Sequence, residues 1–437
     1  MRRSKDGTAA TTLLSGACIR NHGAVAYGPP QLYGLRGVMR ILLCSLSTPG
    51  FLFPMVGLAR ALSRRGHAVA VMTDETEASR YRLGINILTS GGASRGACFR
   101  THLWAQASGC VLQVKIVNQA INEFRPDAIV AQPLTVGPFV AAEMAKLPIA
   151  VVGLFTYLWP DAADAEGTPR SQTQERRQWR VHEMHNLFNA VRRAVRRDDA
   201  PLDPYQPSFL GDLFLLRTIP ELENRPDALP NRVHMVGPLL WEPTDAGVTA
   251  VRMRGWTDVI YVQHGRVFGR TSLWPLLVDV FGDSPYTIVA TLDRMAAPTG
   301  HLPSNIIVWD RASQAPVLKT AILAIGNGNT TMTLGALTHG VPSILIPSGG
   351  EQMDVAERCR ELNAAAVVPA AGLSAETLRG NVLAILADKH TRAALANIKA
   401  MLHRDRGFSH AARLVEQLAI MGTPVLRESS SPKMAIA

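Results

Sequence analysis

Cysteine is scarce in this chain. Its five thiols, Cys18, Cys44, Cys98, Cys110 and Cys359, are scattered through 437 residues. No pair has the close spacing of a metal site, and the number is too small for a disulfide scaffold, so neither a structural metal nor an oxidising compartment is expected. Long apolar runs are missing as well. None reaches the length that spans a bilayer, and the first residues lack the apolar middle section of a secretion signal, which points to a cytoplasmic protein. No internal repeat is evident. Charged residues make up only 18% of the chain against 47% hydrophobic residues, a balance that suits a folded α/β protein. The length fits two domains of about 200 residues each.

Acids are outnumbered, 35 against 45 Lys and Arg, for a net charge of +10. The excess arginines are spread along the chain, so nucleic acid is not implied as a partner. One concentration stands out at 175–197. There Met184, Leu187, Phe188, Val191 and Val195 fall at helical spacing, while Arg176, Arg177, Arg180, Arg192, Arg193, Arg196 and Arg197 supply positive charge. The pattern reads as an amphipathic helix packed on its own domain with a solvated basic face, or as a peripheral contact for an anionic membrane surface or acidic acceptor. Residues 1–38 carry five Lys/Arg and one acid among many small residues. They read as an organelle leader or as a reading-frame extension before Met39, the second being preferred, and are expected to be disordered. The tail 422–437 is expected to be disordered too.

What the chain does contain is concentrated at 321–352, AILAIGNGNTTMTLGALTHGVPSILIPSGGEQ. Residues 321–325 and 343–346 are continuous apolar runs of the kind shown by parallel strands covered on both faces. A helix belongs between them. Gly326, Asn327, Gly328, Asn329, Thr330 and Thr331 fall where the first strand hands the chain to that helix, so free backbone N–H groups and small polar side chains converge on one point. Such a point favours phosphate. Gly340-Val341-Pro342 ends the helix.

This stretch resembles the donor-binding signature of the UDP-glycosyltransferase-like family, whose members have the GT-B fold, and the pattern is most like that of bacterial macrolide and antibiotic glycosyltransferases. The family's His-Gly-Gly turn, Glu-Ala-Leu helix, Gly-Val-Pro turn and Asp-Gln pair follow one another at this spacing. Residues 39–62, MRILLCSLSTPGFLFPMVGLARAL, resemble its first strand, loop and helix, and 64–73, RRGHAVAVMT, its second strand. Residues 229–239, LPNRVHMVGPL, look like the approach to the interdomain linker, and 259–265, VIYVQHG, like the first strand of the C-terminal domain. Residues 305–318 take the place of the Trp-Val-Pro-Gln region, with Gln314 kept and Arg311, Ala312 and Ser313 departing.

The resemblance implies an α/β fold of two Rossmann-like domains with parallel sheets facing across a cleft: an acceptor-binding domain at 39–240, a linker at 241–255 and a donor-binding domain at 256–421. It implies transfer of a hexose from UDP- or dTDP-sugar to a small acceptor, a natural product or lipid-like molecule, with inversion and with neither metal nor cofactor. The donor would be held by Asn327, Gly328, Asn329, Thr330 and Thr331 at its diphosphate, by Arg266, by Gln314 and the backbone near Ala312 at its base, and by Glu351 and Gln352 at its sugar. Acceptor contacts would come from Phe51, Gln132, Tyr157 and Trp159.

Three departures from the family pattern bear on chemistry. The usual catalytic His would follow Gly50, where the chain has Phe51. The partner Asp common in plant members would follow the strand 128–131, where it has Gln132. Asn327 stands for the diphosphate-binding His. The base is then supplied from elsewhere, with Asp161, His182, His185 or Asp74 as candidates; or the acceptor arrives already ionised; or the protein is a catalytically silent relative that binds a sugar nucleotide or a protein partner.

Overall fold

The computed structural model describes residues 37–81, 83–88, 96–161, 171–195, 208–243, 246–263, 273–292, 297–403 and 407–427. Seven strands form the first sheet: β1 (Arg40–Cys44), β2 (Ala68–Met72), β3 (Ile87–Leu88), β4 (Ala128–Ala131), β5 (Ile149–Val152), β6 (Leu213–Leu216) and β7 (Val233–Met235), in the order β3-β2-β1-β4-β5-β6-β7. Six form the second: β8 (Val259–Gln263), β9 (Thr287–Thr291), β10 (Ile306–Trp309), β11 (Ala321–Gly326), β12 (Ser343–Leu345) and β13 (Ala365–Val367), in the order β10-β9-β8-β11-β12-β13. Every pairing is parallel.

The strands are continuous apolar runs because both faces are covered. In β1, Leu42 and Cys44 face a layer built from the helices α3 (Ala107–Phe124), α4 (Val136–Ala145) and α5 (Gln172–Val195). Ile41 and Leu43 face the opposite layer, which contains α1 (Pro49–Arg64). The short α2 (Glu75–Ala78) follows β2. The second sheet is covered by α6 (Ala246–Arg252), α7 (Trp274–Phe281), α8 (Gln314–Thr320), α9 (Thr330–His339), α10 (Gln352–Glu361), α11 (Ala375–Ala387) and α12 (Lys389–Leu402).

The last helix crosses back. In α13 (Phe408–Met421), Ala411, Ala412, Leu414, Val415 and Leu418 pack into the core of the first sheet beside α1. The unit expected to run 256–421 therefore gives its last helix to the N-terminal half. The segment after it is docked as well: Val425 N donates to the Asp212 carbonyl at 3.0 Å, and Arg427 N to that of Asn231 at 2.7 Å. The tail expected to be disordered thus holds to the first sheet through 427. The segment expected to be a linker also belongs to a domain, because Met253 lies in the core with Val317 and Ala336, and Ser313 N donates to Thr249 Oγ1. Residues 1–36 and 428–437 lie outside the described residues.

The strand order of each sheet reverses at one point, between β1 and β4 in the first and between β8 and β11 in the second, and ligands of open α/β sheets collect beyond such points. The two points meet. Thr331 Oγ1 on α9 donates to the Gly50 carbonyl at 3.3 Å, and Phe155, Ile219 and Leu222 of the first half pack with Leu334, Leu337 and Val355 of the second.

Candidate functional site between the two sheets

A cavity of about 630 Å³ opens where the two halves meet. Its N-terminal wall is the turn between β1 and α1. Pro49 starts the helix with its φ already suited to it, and Thr48, Gly50, Phe51 and Phe53 line the space. Gln132, buried at the end of β4, fixes that turn from behind: its Oε1 accepts from Leu46 N at 2.9 Å and its Nε2 donates to the Phe51 carbonyl at 2.6 Å.

The opposite wall is the turn between β11 and α9. Asn329 is the N-cap and accepts from Met332 N at 3.0 Å, which leaves the amides of the first turn directed at the cavity end of the helix. Asn327 Oδ1 accepts from Asn329 N and Nδ2, both at 3.1 Å. Gly328 has φ +81°, and a Cβ there would stand 3.1 Å from the Gln352 carbonyl, so both backbone conformation and space call for glycine. Gln352, nearly buried, accepts through Oε1 from Ser348 N at 3.0 Å and Oγ at 3.2 Å.

Two further residues complete this wall. Glu242 accepts from Gln314 N at 2.7 Å and Ala315 N at 3.3 Å, capping α8. Gln263, the last residue of β8, accepts from Gln314 Nε2 at 3.0 Å and Asn329 Nδ2 at 3.3 Å. One hydrogen-bonded chain thus runs from Glu242 through Gln314 and Gln263 to the Asn329 turn. Glu351 lies beside it, half-buried. Desolvation raises its carboxyl above the ordinary value, and the Arg180 guanidinium opposes that rise.

Of the residues singled out from sequence, Phe51, Ala312, Gln314, Asn327, Asn329, Thr330, Thr331, Glu351 and Gln352 line the cavity, and Gly328 sits in its turn. Arg266 lies outside the described residues. The others are elsewhere. Gln132 is behind the wall. Tyr157 packs edge-on to Phe214, and Trp159 stacks on Phe209 with centroids 5.6 Å apart, so both aromatics serve the core of the first half. Asp161 is buried in ion pairs with Arg177 at 2.9 Å and Arg225 at 3.0 Å. His182 is exposed on α5, and His185 tilts against Phe209. Asp74 is buried and paired with Arg100. None of the four base candidates is among the described residues that line the cavity. The basic face of α5 is largely engaged internally, through Arg176 and Arg180 with Asp354, Arg177 with Asp161 and Arg192 with Glu143.

The chain is similar to known proteins in sequence and in fold. Residues 276–406 match the family described as erythromycin biosynthesis protein CIII-like, C-terminal domain. The demethyllactenocin mycarosyltransferase of Streptomyces fradiae is 28% identical over 195 residues, 44% of this chain and 42% of that protein. The L-demethylnoviosyl transferase of Streptomyces niveus is 24% identical over 366 residues, 76% of this chain and 85% of that protein. The crystal structure of the calicheamicin glycosyltransferase CalG4 superposes with a TM-score of 0.66 at 21% identity, covering 87% of this chain and 98% of that one. The chain has the GT-B fold and is similar to bacterial glycosyltransferases of antibiotic biosynthesis.

Sequence reasoning missed Glu242, Gln263 and the Arg80–Tyr81 corner of the cavity. Gln263 carried a usable signal, because it ends a strand at a switch point. Arg311, read only as a departure, donates to the Arg80 carbonyl at 3.0 Å and lies 5.2 Å over the Tyr81 ring, bridging the two halves beside the cavity.

Proposed function

We propose that this protein is a glycosyltransferase that moves a hexose from UDP- or dTDP-sugar to a small-molecule acceptor, a natural product or lipid-like molecule, with inversion. The observation that carries the reading is the single cavity in which the Asn327–Thr331 turn and Glu351–Gln352 face Phe51 across the domain boundary. The amides and hydroxyls at the start of α9 suit a diphosphate, and their partial positive charge stabilises it as it departs, so the reading requires no metal. Glu351 and Gln352 suit the sugar hydroxyls. An acceptor oxygen that arrives already ionised, and so has no proton to give up, attacks the anomeric carbon from the Phe51 side while the bond to the diphosphate oxygen breaks and its electron pair leaves with the phosphate.

A second reading is a catalytically silent relative that binds sugar nucleotide or a partner enzyme. It is favoured by Phe51 and Gln132, which stand where the resemblance implies the base and, as in plant members, its partner Asp; Gln132 is a neutral buckle on the Phe51 carbonyl. Calorimetric titration with UDP-, dTDP- and GDP-sugars, repeated with Asn327→Ala and Glu351→Ala, tests the donor site. Micromolar binding of one donor, weakened by both substitutions, establishes the donor site and turns the question to acceptors; binding of none favours the silent reading. Donor binding without transfer to any acceptor, together with activation of a partner transferase, supports the silent reading as well.

A further inference from the structure

Two arginines on α5 of the acceptor half reach across the boundary to one carboxylate on the donor half. Arg176 donates to Asp354 Oδ1 through Nη2 at 2.9 Å and Nε at 3.2 Å, and Arg180 Nη2 donates to Oδ2 at 3.1 Å. Both oxygens are taken. The Asp354 side chain is 6% exposed and that of Arg180 14%, so solvent and salt screen the pair little. Arg180 is fixed at its other end, where Nη1 donates to the Leu158 carbonyl at 2.6 Å.

The place of Asp354 gives this clasp its meaning. It lies in the first turn of α10, whose N-cap is Glu351 and whose first residue is Gln352. The helix that walls the acceptor half is therefore tied directly to the pair that would meet the donor's sugar. The charged groups facing Glu351 are Arg180 from α5, which favours its ionised form, and Asp354 from its own helix, which disfavours it. Arg176 engages the other oxygen of Asp354, and Glu242, Asp310 and Arg311 line the same cavity.

We propose that Arg180 and Asp354 are positioning residues for the donor's sugar: they hold Glu351 and Gln352 against the acceptor half, where both side chains meet the sugar hydroxyls. The proposal rests on the donor-binding reading above. It also gives the basic helix a role that needs no membrane. The coupling has a sign. Desolvation raises the Glu351 carboxyl, and removing Arg180 raises it further, so affinity for the sugar fails at a higher pH in the variant than in the wild type.

The test is calorimetric titration of the full chain with UDP-glucose and dTDP-glucose, and with UDP and dTDP alone, from about pH 5 to about pH 8. The variants are Arg180→Met, Arg180→Lys and Asp354→Asn, with Arg193→Ala as an exposed control on the same helix. Arg180→Met is expected to weaken the nucleotide sugar, to leave the free nucleotide unchanged, and to move the acid limb of sugar binding to higher pH. Arg180→Lys returns the limb toward the wild type. Asp354→Asn weakens sugar binding by loosening the clasp, while retained nucleotide affinity shows that the protein is folded. Superimposable pH profiles for wild type and Arg180→Met, or equal weakening of nucleotide and nucleotide sugar, overturn the proposal alone. A wild type that binds no nucleotide and no nucleotide sugar overturns the donor reading itself.

Discussion

The side-chain amide of Gln132 donates to the carbonyl of Phe51 at 2.6 Å, across a separation of 81 residues in sequence. Gln132 is thus spent on holding the loop between β1 and α1. Gln132→Ala leaves the Leu46 N–H and the Phe51 carbonyl without their side-chain partners in a buried setting, which costs about 1–3 kcal/mol. Urea unfolding should show this as a lower midpoint with an unchanged slope. A midpoint equal to that of the wild type would mean that the loop is held by something else.

The donor turn makes a second prediction. Asn329 both caps α9 and joins the chain to Gln263, so Asn329→Ala costs about 1 kcal/mol of stability and also weakens donor binding. Gly328→Ala acts differently. A Cβ at φ +81° costs about 1–2 kcal/mol in backbone strain and presses on the Gln352 carbonyl 3.1 Å away. Its effect on sugar binding should exceed its effect on binding of the free nucleotide. Calorimetry with both ligands separates the two; equal losses would put Gln352 out of the sugar site.

The strands and the donor turn were legible because their physics is local. Continuous apolar runs mark buried parallel strands, and Asn-Gly-Asn after such a run marks a turn whatever lies around it. The misplacements came from partners distant in sequence. Tyr157 and Trp159 follow a strand that ends near the cavity, but which side of the strand they fill depends on Phe209 and Phe214, some 50 positions on in the chain. The arginines of α5 were visible as charge, whereas Asp354, which engages two of them, lies 174 and 178 positions away. Helix α13 showed an apolar stripe without saying which sheet it would cover.

Arg217 makes a prediction about alkaline pH. It is 1% exposed; its Nε donates to the Pro238 carbonyl at 3.1 Å, and its Nη2 has no hydrogen-bond partner among the described residues. Burial lowers the guanidinium to about 9. Because the folded value lies below the unfolded one, the charged form is penalised in the folded state at every pH below about 9, and the penalty lifts as pH rises above it. Arg217→Met removes the group altogether. The stability of the wild type relative to this variant should therefore increase between about pH 9 and about pH 10.5, by at most about 1.4 kcal/mol per pH unit. Urea unfolding of both proteins across that range measures the difference, and parallel curves would show that Arg217 keeps its proton when folded.

The return of α13 to the first sheet predicts that the N-terminal half is not an independent folding unit. Ala411, Ala412, Val415 and Leu418 are completely buried against that half, and Glu416 pairs with Arg65 at the end of α1. Fully burying each large side chain is worth about 1.5–3 kcal/mol. Two such residues, with Leu414 and Val425 nearly buried beside them, rival the whole stability of a typical domain, about 5–15 kcal/mol. A chain ending at 407 should consequently lose amide-exchange protection in β1, β4 and β6, which lie far from the cut in sequence, while β9 and β12 keep theirs. Adding the peptide 408–427 in trans should restore protection to the first sheet. Retained protection in β1 without the peptide would mean that α13 only covers a core already closed by α1, and loss in both sheets together would mean that the two halves unfold as one unit.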